Sequence, residues 1–361
     1  MICSSPGKTN PTEFLESLGR RVIAQRIPFN GSIDLTDRCN LSCVHCYMGT
    51  VHGRAPDELT TPEILTILDQ IADAGCLNLL LTGGEPFLRK DFAHIYSYAK
   101  HLGFLIDIFS NGTVIEDDIL RLFSDLPPFK IELTMHGSTA GTFEAISGVR
   151  GSFDRFIRTV HTLMDHHLPL GLKMIVMTVN RHEFDSVREF CAGLGVPFRY
   201  DTSIFPRMDG DRSPIELRIP PNDSVDLDLM DSVQLSRWMK YLEKTPIPPV
   251  DERLYVCGAG MQSFHVSSSG LLTPCVMMSE PFFDLRKGSF SEGWNQIESI
   301  RDRIADPSYA CNRCSKRLLC GYCPAFFKLE TGSEEIPSTY LCRTGHVRSD
   351  RFDKFLSVRR S

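Results

Sequence analysis

At 361 residues, 42% of them hydrophobic, the chain is long enough for one large domain with its own core and a smaller domain beside it. Its formal net charge of -6 excludes a dominant nucleic-acid partner, which would require a basic domain or stripe. No stretch reaches the roughly eighteen uncharged apolar residues that a spanning helix needs, and Met1 to Asn10 lacks the basic start and apolar run of a secretory signal. No membrane partner is therefore expected, and the expected location is cytoplasmic.

After an N-terminal extension, 1–30, short β-branched runs alternate with amphipathic stretches over 31–201, the βαβα pattern of a parallel sheet covered by helices. Strands are expected at Ser32 to Leu35, Asn78 to Leu81, Leu105 to Phe109, Lys130 to Thr134, Lys173 to Thr178 and Pro197 to Tyr200. Helices are expected at Pro62 to Ala74, Asp91 to His101, Glu116 to Phe123, Phe153 to His166 and Glu183 to Gly193. Six such units predict an α/β fold, a partial (β/α)6 barrel whose loops after the strands converge at one end. A proline-rich bridge, 202–256, follows; it carries an acidic run from Asp223 to Asp231 and one helix, Ser232 to Leu242. A small cysteine-rich domain, 257–345, and a basic tail, 346–361, complete the chain.

The thirteen cysteines are the excess to be explained. In a reducing compartment they seldom serve disulfides, and metal or catalytic work is the leading account. Cys3, Cys76 and Cys191 stand singly and read as small buried hydrophobes. Cys39, Cys43 and Cys46 form C-x3-C-x2-C just past the first strand. A loop of that length can wrap three thiolates round one cubane cluster and leave its fourth iron open, whereas a zinc site with His45 as a distant ligand is the alternative. Gly83-Gly84-Glu85-Pro86 at the end of the second strand supplies two glycines for close backbone approach and a carboxylate that can receive an ammonium group. Ser110-Asn111-Gly112 after the third strand is a turn whose polar side chains suit ribose hydroxyls.

These motifs, together with Gly148-Val-Arg-Gly151-Ser-Phe-Asp, resemble the radical S-adenosylmethionine (SAM) superfamily across 31–201. The resemblance implies that Cys39, Cys43 and Cys46 bind a SAM-cleaving 4Fe-4S cluster and that Gly83, Gly84, Glu85 and Pro86 bind SAM around its methionyl amine. It places Ser110 and Asn111 near the ribose and Val179 and Asn180 near the adenine. This chain has Ser147 where related sequences carry an arginine, so Arg150 is the candidate partner of the SAM carboxylate.

The later cysteines read Cys257-x12-Gly270-x4-Cys275, then Cys311-x2-Cys314-x5-Cys320-x2-Cys323, then Cys342. Cys311 to Cys323 alone would suit a zinc ribbon. The full pattern resembles the SPASM extension of radical SAM enzymes, which implies two auxiliary 4Fe-4S clusters and three in all. Cys311, Cys314, Cys320 and Cys342 would hold one, and Cys257, Cys275 and Cys323 the other, although Cys320-Gly-Tyr-Cys323 is one residue shorter than the family spacing. The expected activity is an oxidation initiated by a 5′-deoxyadenosyl radical on a peptide or protein, with an electron donor such as flavodoxin or ferredoxin. Oxidation or decarboxylation of a small molecule or tetrapyrrole side chain is the alternative, and a non-catalytic iron–sulfur or zinc scaffold the alternative of another class. Asp201 and Tyr200 at the end of the sixth strand are catalytic candidates, a capping carboxylate and a packed ring being the plainer reading, and His136 after the fourth strand is a weaker one.

Overall fold

The computed structural model describes residues 10–49, 57–244 and 252–360; Cys3 and the rest of 1–9 lie outside them. In chain order the elements begin with α1 (Pro11–Ala24), β1 (Asn30–Asp34), α2 (Thr61–Asp73), β2 (Asn78–Thr82), α3 (Phe92–His101), β3 (Leu105–Ser110), α4 (Asp117–Asp125) and β4 (Lys130–Thr134). They continue with α5 (Ala140–Ser147), α6 (Ser152–Asp165), β5 (Leu170–Ile175), α7 (Phe184–Leu194), β6 (Phe198–Asp201), α8 (Pro221–Met230) and α9 (Ser232–Lys244). The remainder comprises β7 (Ser263–Val266), β8 (Leu271–Thr273), β9 (Phe283–Asp284), α10 (Phe290–Ile297), α11 (Pro324–Thr331) and α12 (Thr339–Arg360). No helix among the described residues is long and apolar enough to cross a membrane.

The six expected strands are present as β1 to β6, in parallel and in order, and form an open α/β sheet with helices packed against it, as in a partial barrel. Ile33, Leu81, Ile106, Ile108, Ile131 and Leu133 are buried in one apolar cluster with Ile64, Leu68, Phe92 and Phe156 from the covering helices. Alternate residues of β3 to β6 are polar: Asp107, Glu132, Lys173 and Arg199 belong to one charged group, with Lys173 and Arg199 both paired to Glu132.

Four features depart from the expected elements. β5 starts at Leu170 and ends at Ile175, earlier than expected, because Asn180 turns the chain: its Oδ1 accepts from the Met177 N–H at 2.7 Å and its amide donates to the Ile175 carbonyl at 3.0 Å. α1 was not expected; Asn10 caps it by accepting from the Thr12 N–H, with Pro11 in its first turn. α5, capped by Thr139, was also not expected. The acidic run read as bridge is α8, and its charges meet the basic C-terminal helix. Asp228 pairs with Arg348 at 2.8 Å, both side chains under 10% exposed, and Asp226 pairs with Arg351 at 3.4 Å.

The cysteine-rich segment does not stand apart from the sheet. β7 pairs in parallel with β1, on the side opposite β2, and β8 and β9 extend the same sheet antiparallel, giving nine strands among the described residues. Gly31 permits this joint: a Cβ there would fall 2.4 Å from the Phe264 ring of β7. The segment between Cys257 and Cys275 thereby runs beside the strand that leads into Cys39, Cys43 and Cys46.

Candidate functional site

The three-cysteine loop leaves β1 and is pinned at both ends. Ser42 and Val44 donate their N–H groups to the carbonyls of Ser147 and Ile146, at 2.8 and 3.0 Å, so the loop is stitched to the last turn of α5. Gly83 and Gly84 lie under its entrance. A Cβ on Gly83 would meet the Thr36 carbonyl oxygen at 2.3 Å, one on Gly84 the Arg38 carbonyl oxygen at 2.3 Å, and Gly83 has φ +128°. Both glycines therefore serve the approach of protein backbone to protein backbone. The N–H groups of Gly84 and Glu85 donate to the Thr36 and Arg38 carbonyls at 2.7 and 2.8 Å.

Glu85 is fully buried. Its carboxylate accepts from the Ser110 hydroxyl at 2.9 Å, the Asn111 N–H at 2.8 Å and the Phe87 N–H at 3.3 Å. Burial outweighs these bonds and pushes its carboxyl up to about 7. Asn111 donates to the Asn40 side chain at 2.8 Å and lies 3.7 Å from the Cys39 sulfur. The strand-end motifs thus form one strut, in which Glu85 holds the Ser110–Asn111 turn and Asn111 holds the cysteine loop. Pro86, itself buried, opens a single 3-10 turn behind it.

Burial raises the thiols of Cys39, Cys43 and Cys46, and the nearby Arg207 partly offsets this at Cys46. Two donors already reach Cys39, the Leu41 N–H at 3.5 Å and Asn111. His136, nearly fully buried, places Nε2 3.5 Å from the Cys43 sulfur, and its Nδ1 and that of His45 have no hydrogen-bond partner. Three half-buried thiols on one loop, with donors at hand and unpaired ring nitrogens beside them, fit a soft multinuclear metal group. Among the described residues no three Cys, His, Asp or Glu side chains close round a single ion.

Other expected positions fall as follows. Asn180 is fully buried and donates to the His136 carbonyl at 2.9 Å, whereas Val179 beside it is exposed. Arg150 is exposed on the α5–α6 turn between Gly148 and Gly151, both at positive φ. Ser147, at the position of the family arginine, is fully buried with its hydroxyl 2.8 Å from that of Ser152. Asp201 is exposed and accepts from the Ser203 N–H. Tyr200 packs edge-on against Phe184 of α7 on the face of β6 opposite Arg199, and its hydroxyl donates to Asp228 at 3.2 Å, the contacts of the packed ring that was the plainer reading. Sequence reasoning missed Arg207, a largely buried guanidinium whose Nε has no partner. It sits in the loop after β6, where no motif marks it; Met208 next to it donates to the Tyr47 carbonyl at 2.9 Å.

The seven C-terminal thiols lie in two neighbourhoods. Burial, then the proximity of Cys311, Cys314 and Cys342, pushes Cys320 up to about 12, and these four line one cavity with Arg317 and Tyr322. Burial, then Cys323 and Cys257, pushes Cys275 up to about 12. Cys323 also caps α11, accepting from the Phe326 N–H at 3.4 Å. A Cβ on Gly345 would meet Cys320 Cβ at 2.5 Å, so α12 reaches the four-thiol cavity closely enough to bring Cys342 into it.

Comparison with known proteins agrees with this geometry. The profile of the radical SAM superfamily matches residues 33–191. The AdoMet-dependent heme synthase of Methanosarcina barkeri is 25% identical over 331 residues, 84% of this chain and 94% of that protein. The sporulation killing factor maturation protein SkfB of Bacillus subtilis is 24% identical over 74% of this chain, which spans 64% of that relative's length. Among solved structures, Streptococcus suis SuiB bound to precursor peptide SuiA superposes with a TM-score of 0.70 at 17% identity, covering 95% of this chain and 83% of that one.

Proposed function

From the premise that the chain belongs to the radical SAM superfamily and is an enzyme of the SPASM type, we propose that it oxidatively modifies a peptide or protein. When bound, SAM and its cluster supply a 5′-deoxyadenosyl radical that removes a substrate hydrogen, and auxiliary clusters supply a sink for the remaining electron. Cys39, Cys43 and Cys46 hold the first cluster. Cys311, Cys314, Cys320 and Cys342 hold a second, and Cys257, Cys275 and Cys323 a third. Glu85, Ser110 and Asn111 set the strand ends on which SAM lies, Gly83, Gly84 and Pro86 shape that ledge, and Val179, Asn180 and Arg150 border it. Asp201 faces the substrate side, and reduced flavodoxin or ferredoxin delivers the electron in the cytoplasm.

The observation that carries this reading is the division of the seven C-terminal thiols into two groups on a segment whose β7 pairs with β1. An enzyme of redox-neutral outcome needs no such electron sink. The peptide substrate rests on SkfB and SuiB, whose names and bound peptide speak of peptide maturation. A second reading, oxidation of a tetrapyrrole side chain, is favoured by the heme synthase, since the chain covers nearly all of it. The test is anaerobic turnover with SAM and reduced flavodoxin. Loss of two hydrogens from a precursor peptide encoded beside the gene supports the first reading; turnover of a porphyrin propionate with no reaction on peptide supports the second. Protein that contains zinc and no iron and forms no 5′-deoxyadenosine would falsify both.

A further inference from the structure

The cavity lined by Cys311, Cys314, Cys320 and Cys342 contains a cation with no carboxylate among its lining residues. Arg317 is 7% exposed and its Nε and Nη2 have no hydrogen-bond partner. The guanidinium lies 3.9 Å over the Tyr322 ring, which itself lines the cavity. The backbone places it there. Arg317 donates its N–H to the Cys314 carbonyl at 3.1 Å, and its carbonyl accepts from the Cys320 thiol at 3.4 Å, so the residue is fastened between two of the four cysteines. Lys316, Tyr322 and His346 are the other titratable residues lining it beside the thiols, and no Asp or Glu lines this cavity among the described residues.

A buried guanidinium is expensive unless an anion meets it. Other largely buried arginines of the chain have carboxylate partners: Arg348 pairs with Asp228 and Arg218 with Glu330, both pairs under about 10% exposed. Arg317 has none in its cavity. Its partner has to be the charge that the four thiols acquire when they bind metal. A cubane held by four thiolates is anionic and becomes more so by one charge on reduction, and the potential of such clusters responds to net local charge and hydrogen bonding at sulfur. A fixed cation in a low-dielectric pocket favours the more negative, reduced form.

We propose that Arg317 is the counter-cation of the cluster bound by Cys311, Cys314, Cys320 and Cys342, and that it raises that cluster's reduction potential so that it can receive an electron. The assignment rests on the cluster reading above. Arg317 acts through the cluster and is a positioning residue, so its signature is a potential.

The test uses reconstituted full-length chain in which Cys39, Cys43 and Cys46 are alanine, leaving only the C-terminal clusters, and follows their reduction by paramagnetic resonance. Arg317→Met is expected to move the midpoint of one cluster to a more negative potential and leave the other unchanged, and Arg317→Lys to stay near the parent. A parent signal indifferent to Arg317→Met, or an Arg317→Lys shift as large as that of Arg317→Met, overturns the role of Arg317. If Arg317→Met takes up no metal at this site, Arg317→Lys decides. Parental iron and potential in the lysine variant uphold the charge requirement, and loss of iron there too reduces Arg317 to a packing group on Tyr322. No C-terminal cluster signal in the parent would overturn the cluster reading itself, a result distinct from the others.

Discussion

Glu85 stands where two strand ends meet, and its carboxylate holds the Ser110 hydroxyl and the Asn111 N–H in place. Removing it in Glu85→Ala leaves those donors buried and the turn loose, so SAM affinity is expected to fall by roughly 1.5–3 kcal/mol while the first cluster keeps its iron. Calorimetric titration with SAM checks this, and unchanged affinity would remove Glu85 from the site. The same carboxyl gives a pH signature. Burial lifts it from 4.5 in the unfolded chain to about 7 in the fold, so the folded state holds the proton more tightly. Its contribution to stability is complete below the unfolded value and is lost as the pH rises through the folded one. Thermal unfolding, followed anaerobically between about pH 5 and 8, is expected to show a decline in stability that Glu85→Gln flattens.

Among the elements, the short helix α5 does more than connect β4 to α6. Its final carbonyls, from Ile146 and Ser147, receive the Ser42 and Val44 N–H groups and so set the position of the cysteine loop. Ser147 is fully buried and its hydroxyl is bonded to Ser152. An arginine there would force a long charged side chain into a closed site, and Ser147→Arg is expected to destabilise the protein by about 3 kcal/mol or more. Denaturant unfolding measures that loss; a variant as stable as the parent with tighter SAM binding would show that the site accepts the family arginine after all. β5 illustrates a different point at the same scale. The apolar text from Lys173 to Thr178 reads as strand, but Asn180 bonds Met177, Ile175 and the His136 carbonyl, and those bonds end the strand early. Side-chain capture of main-chain groups of this kind is invisible to a hydrophobic pattern.

For the molecule as a whole, the consequence of β7 pairing with β1 is that the strands flanked by Cys257 and Cys275 belong to the same sheet as the strand leading into Cys39. On the proposed function, electron entry at the first cluster and electron exit at the C-terminal ones would be separate roles of one chain. Cys311→Ala with Cys314→Ala is expected to leave 5′-deoxyadenosine formation near the parental rate and to abolish oxidised product. Iron should fall by about a third from the roughly twelve atoms per chain that three cubanes bring. Metal analysis, circular dichroism and product assay on one preparation check this, with folding verified first because a cysteine-rich segment can depend on its metal for stability. Product formed at the parental rate by folded variant would rule out the electron-sink role.

The chemistry-bearing text was legible without coordinates because it is local. C-x3-C-x2-C, Gly83 to Pro86 and Ser110 to Gly112 each occupy one loop at a strand end, and six βα units in a row order those loops at one end of a parallel sheet. Residues that act across the chain were not legible. Arg207 comes to Cys46 from the loop after β6, Asp228 meets Arg348 across 120 positions, and Arg317 is distinguished from other arginines only by having no carboxylate in its cavity. The face of β6 that Tyr200 takes was not legible either, because it depends on where α7 packs. Spacing within a loop encodes which residue types can share a ligand. Tertiary packing alone decides which distant charges they meet, since burial and pairing are properties of the assembled chain.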